Sequence, residues 1–139
     1  MLRKVPQRRG GAAVELAILL PFLVFLFAIT IDWTRIIYYT LTINNCARNG
    51  ALWLADPYSP IGSPYSTLTQ AALADATNIN PQPTVSPATG STGVDANGYA
   101  YAECSVSYAF KTITNVPGVP QNSTISRTVR VYTIPQAPK

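Results

Sequence analysis

An uninterrupted apolar run from Leu16 to Ile31, headed by a single carboxylate at Glu15, constrains this chain more than any other feature. Counted from Ala12 the segment has twenty residues, which at about 1.5 Å per residue is enough to cross a hydrocarbon core roughly 30 Å thick. Glu15 is its only ionisable residue. A charge near the end of a spanning helix is disfavoured without a partner, so Glu15 is a candidate functional group; the alternative is a signal anchor whose acid sits at headgroup level. A cleavable signal peptide has a shorter apolar region, about 7 to 15 residues, and ends in a small-x-small site. Ile29-Thr30-Ile31-Asp32-Trp33 offers no such site, so the segment reads as an anchor that stays in the protein.

Charge separates the leader from the rest. Of ten basic and six acidic residues, Arg3, Lys4, Arg8 and Arg9 lie in the first nine positions, and everything beyond Gly10 is neutral. No Lys/Arg stripe remains for a folded surface to offer to phosphates, which excludes a nucleic-acid partner. The basic end follows the positive-inside rule: the N-terminus is expected in the cytoplasm and the bulk of the chain outside.

The helix does not stop at the membrane surface. Trp33, Ile36, Ile37, Leu41, Ile43, Ala47, Ala51 and Leu54 recur at three-to-four spacing, so a single helix of about 66 Å is predicted from Ala12 to Ala55, ending at Asp56-Pro57. Pro21 removes one of its hydrogen bonds and is expected to kink it, which membrane helices tolerate. Gly50 is a second weak point, costing about 1 kcal/mol against alanine. After the turn-rich Pro57–Pro64 connection, Ser63 as cap and Pro64 as first residue predict a second helix to about Asn78, with Tyr65, Leu68, Ala72, Ala76 and Ile79 as its apolar line. Residues 80–98, rich in Pro, Ser, Thr and Gly, read as an exposed, flexible loop.

Two alternating segments follow, Tyr99 to Phe110 and Ser123 to Ile134. The first puts Ala102, Cys104, Val106, Tyr108 and Phe110 on one face; the second puts Ile125, Val129 and Val131 on one face with Arg127. An isolated two-stranded ribbon is marginal in water, so its apolar face is expected on the outer half of the first helix. The fold class is therefore α+β: residues 1–10 a basic leader, 11–31 the transmembrane part of a long helix, 32–56 its exterior part, and 57–139 a small exterior domain with a second helix and an antiparallel hairpin or small sheet, ending in the polar tail Pro135 to Lys139. Cys46 on the helix and Cys104 on the inward strand face would then be neighbours in an oxidising compartment, a candidate disulfide contributing about 4 kcal/mol. Two buried thiols are the alternative, since spacing does not fix the distance a bridge requires.

No catalytic constellation is visible. With no histidine, no CxxC, no glycine-rich phosphate loop and no second carboxylate beside Glu15, the chain offers no metal site, cofactor site or small-molecule substrate site, and an enzyme would need Asp75, Asp95 or Glu103 to meet in space. Asp32 and Arg35, three residues apart at the membrane boundary, read as a solvated pair worth under about 1 kcal/mol, the alternative being an assembly contact. Arg48 with Asn49-Gly50 reads either as a polar helix face or as a contact with the domain. Asn122-Ser123-Thr124 fits a glycosylation pattern common by chance.

Arg8-Arg9-Gly10-Gly11-Ala12-Ala13-Val14-Glu15-Leu16-Ala17, then Leu20-Pro21, Ile31-Asp32-Trp33-Thr34-Arg35 and Asn45-Cys46-Ala47-Arg48-Asn49-Gly50-Ala51 resemble the TadE-like family, minor pseudopilins of the tight-adherence (Tad/Flp) pilus in the type IV pilin-like group. The resemblance covers roughly residues 8 to 55. It implies cleavage by a prepilin peptidase between Gly10 and Gly11, leaving Glu15 fifth in the mature chain, with Glu15 and Pro21 serving subunit assembly. It also implies other pilin subunits and the Tad assembly machinery as partners, a single pass through the bacterial inner membrane, and incorporation in a pilus used for surface adhesion. Leu16 stands where the major pilins of this system carry an aromatic residue, and the exterior domain is larger than theirs, which points away from the main fibre subunit. The rival reading is an uncleaved single-pass protein whose exterior domain binds a partner at the cell envelope.

Overall fold

The computed structural model describes residues 10–114 and 118–133. Residues 1–9, 115–117 and 134–139 lie outside that range, and with them the basic leader up to Arg9, the expected strand end at Ile134 and the polar tail. Helix α1 runs unbroken from Gly11–Ala55 through Pro21, and its first twenty-odd residues, 11–31, are apolar enough to cross a membrane. It ends where Asp56-Pro57 requires. Asp56 turns to an extended conformation, donates its N–H to the Leu52 carbonyl at 3.1 Å and accepts the Tyr58 N–H at 2.9 Å.

The second helix is shorter than the sequence suggests. Helix α2 spans Leu68–Ala72 and passes into a 3-10 turn at Leu73–Ala76. Ser63 does take the Tyr65 N–H, at 3.2 Å, but closes only a local turn, because the Trp53 indole claims the Tyr65 carbonyl at 3.3 Å. Thr67 is the cap instead. Its hydroxyl accepts the Gln70 N–H, and the Gln70 side chain reaches back to the Ser66 N–H at 3.2 Å, close to a capping box.

Four antiparallel strands form one sheet: β1 Thr84–Val85, β2 Ser91–Val94, β3 Ala100–Lys111 and β4 Asn122–Tyr132. β3 and β4 pair along their whole length, from Tyr101↔Tyr132 to Lys111↔Asn122. The other edge of β3 is filled in series by β2, opposite Ala100 to Glu103, and by β1, opposite Val106 and Ser107. The segment expected to be a loop from 80 to 98 thus supplies two strands, because a central strand cannot leave its second row of backbone groups unpaired beside a core. Asp95 turns the chain between β2 and β3, its carboxylate accepting the N–H groups of Asn97 and Tyr99 at 2.9 and 2.8 Å, with Gly98 at φ 85°.

The sheet packs on the carboxy-terminal half of α1. Ala102, Cys104, Val106, Tyr108 and Phe110 face the helix and are buried, as their alternation predicts. On α1 the covered side is Asp32, Ile36, Tyr39, Ile43, Cys46, Ala47, Gly50, Ala51 and Leu54. Trp33, Ile37 and Leu41, expected on that side, are exposed. The helix carries two apolar stripes, and the sheet takes the one with small residues, since close approach matters more there than side-chain size.

Candidate functional site: a carboxylate at each end of the apolar segment

At the amino-terminal end, Gly10 caps α1 without a side-chain bond, and Gly10 and Gly11 both lie exposed in open space. Glu15 follows one turn into the helix, exposed among Val14, Leu16 and Ile18. Among the described residues no hydrogen bond or ion pair engages its carboxylate. Pro21 faces outward on the same helix.

Asp32 at the other end behaves in the opposite way. It is fully buried, the only carboxylate among the buried described residues, and is not the solvated half of a surface pair. One oxygen accepts the Ile113 N–H at 3.1 Å and the Arg35 guanidinium at 3.3 Å; the other accepts the Thr114 N–H at 3.0 Å and the Thr114 hydroxyl. Four donors converge on one carboxylate, so its negative charge is satisfied without water. The Thr114 hydroxyl foremost, then the two backbone N–H groups and Arg35, hold its pKa down to about 2 against the opposing effect of burial. Arg35 lies 5.1 Å above the Phe110 ring and 5.8 Å from that of Tyr39, which stacks on Tyr108 at 5.0 Å. The Asp32–Arg35 pair is therefore a clasp between helix and sheet. Sequence reasoning missed Ile113 and Thr114, because backbone N–H donors 81 and 82 residues away leave no local signature.

Cys46 and Cys104 meet in one core cluster, both fully buried, yet they are free thiols and not the expected disulfide. The Cys104 sulfur lies over Gly50, where an added Cβ would stand 2.5 Å from it, so the strand is seated at the glycine notch. Burial, with Asp75 and Cys104 adding to it, pushes the Cys46 thiol up to about 11, and burial also raises Cys104. Such thiols are unreactive. Of the neighbouring Arg48-Asn49-Gly50, Arg48 is exposed, whereas Asn49 donates to Asp75 at 2.9 Å.

An apolar helix of spanning length presents a carboxylate without a partner among the described residues and carries a small α+β domain clasped to its far half. Residues 10–52 match the family described as TadE-like protein, so the likeness takes in 43 of the 139 residues. The match ends within α1, short of the sheet. No curated protein and no solved structure matches the chain.

Proposed function

We propose that the chain is a minor pseudopilin of the Tad pilus, cut by a prepilin peptidase between Gly10 and Gly11 and acting in assembly, priming or stabilisation of a fibre used in surface adhesion. The observation that carries the reading is Glu15, an exposed carboxylate on an apolar helix with no partner among the described residues, at the fifth position from the Gly10-Gly11 bond. Cleavage there would create an ammonium. In a low-dielectric setting that group on one subunit and Glu15 on the next would neutralise each other and set the axial register. Pro21 shapes the same helix, and the exposed ridge of Ile37 and Leu41, opposite the sheet, continues the apolar span and would receive a neighbouring subunit's helix. The leader holds the uncut end in the cytoplasm and the domain lies outside. No chemistry is assigned to the chain: it is not an enzyme and takes no cofactor.

N-terminal sequencing of the membrane-extracted protein from cells with an active peptidase should begin Gly-Ala-Ala-Val-Glu. Retention of Arg3 to Arg9 would instead favour the uncleaved envelope-binding protein. Glu15→Ala should leave insertion and cleavage intact while reducing incorporation into sheared pili; normal incorporation would refute the intermolecular pairing.

A further inference from the structure

Strand β3 runs down α1 toward the membrane. Cys104 lies against Gly50, Tyr108 stacks on Tyr39, Phe110 lies under Arg35, and the N–H groups of Ile113 and Thr114 end on Asp32. From Gly50 to Asp32 the helix falls about 27 Å, and from Cys104 to Ile113 an extended strand covers about 30 Å, so the two descend in step. The chain after β3 is thereby brought to the level of the first residue beyond the apolar span, on the sheet side of α1. At that level Ile113 is 71% exposed although its amide is engaged, Lys111 is exposed beside it, and Trp33, next to Asp32 on the helix, is 45% exposed. An apolar tip, an indole and an ammonium at the height of the headgroups are the residue types a lipid interface selects.

We propose that the domain makes a second contact with the bilayer: the lower end of β3 rests through Lys111, and through Ile113 just beyond it, on the phospholipid interface of the leaflet at the carboxy-terminal end of the span, with Trp33 completing the contact from the helix. The occupant follows from continuity, since these residues extend the apolar surface of the span without a break in level. Asp32 is the positioning residue, because its two oxygens hold Ile113 and Thr114 at that height. The domain is then braced on the membrane by its lower end and does not sway on a single stalk. The inference rests on residues 11–31 crossing the membrane.

The full chain, at one copy per phosphatidylcholine nanodisc, would carry a nitroxide at Phe22→Cys, Ile113→Cys or Ile61→Cys in turn; the native thiols are buried and escape labelling under folding conditions. Collision with oxygen against collision with a water-soluble nickel chelate reads depth. Phe22 should be oxygen-dominated, Ile61, 94% exposed beyond the far end of α1, chelate-dominated, and Ile113 several-fold higher in its oxygen-to-chelate ratio than Ile61. A ratio at Ile113 equal to that at Ile61, with Phe22 in lipid, overturns the contact and leaves the span standing. A chelate-dominated Phe22 overturns both. Adding Asp32→Asn to the Ile113 label should move the ratio toward that of Ile61, and an unchanged ratio would remove Asp32 from the positioning role.

Discussion

Two residues decide how closely the sheet approaches the helix and how its lower end is held. Gly50 is a weak helix former in a position where nothing larger fits. An alanine Cβ would lie 2.5 Å from the Cys104 sulfur and 3.0 Å from the Ala72 Cβ. Gly50→Ala gains about 1 kcal/mol of helix propensity and incurs about 1–3 kcal/mol of overpacking, so a net loss of up to about 2 kcal/mol is expected. Chemical denaturation in detergent micelles measures it, and Cys104→Ala in the same chain should recover part of the loss by emptying the notch. At Asp32 the folded pKa lies below the ordinary carboxylate value near 3.9, so protonation is disfavoured in the folded state. The clasp therefore contributes in full above about pH 4 and is lost as pH falls through about 2. Hydrogen exchange should show the Ile113 and Thr114 amides losing protection in that window ahead of the central β3 amides, and Asp32→Asn should produce the same loss at neutral pH.

Among the elements, α1 was legible nearly to the residue, because a long apolar run followed by three-to-four periodicity and ended by Asp56-Pro57 admits one reading. β3 and β4 were legible for the same reason at period two, and their observed bounds differ from the expected ones by a residue or two at each end. The failures came where local signals compete. Ser63-Pro64 looks like a helix start until Trp53 takes the Tyr65 carbonyl, and the Thr67 to Gln70 spacing was the signal that marks the true cap. β2 was hidden in a polar stretch, though Asn97-Gly98 is a strong hairpin signal in its own right. The thiols belong to this scale, since they report the packing of β3 on α1. Cys46 and Cys104 should resist maleimide in the native protein and react together as the domain unfolds, with Cys46, held near 11, unreactive at neutral pH. Rapid native labelling of either would show that the strand is not seated as described.

For the whole molecule, the sequence alone determined what depends on local composition and period: a helix that can span a membrane, a basic stretch before it, a single carboxylate at its head, an α+β class, and the residues that resemble TadE-like proteins. It also supplied the candidate Glu15, because an acid in an apolar run is conspicuous whatever the rest of the chain does. Only the tertiary structure decided which stripe of α1 is covered, that residues 80–98 complete the sheet, that the cysteines sit as thiols around Gly50, and that Asp32 is a buried clasp. Each of these turns on a contact between groups distant along the chain, where close approach and the satisfaction of backbone N–H groups outweigh the local pattern. Periodicity counts apolar side chains on one element; it carries no information on the shape of the surface that element will meet.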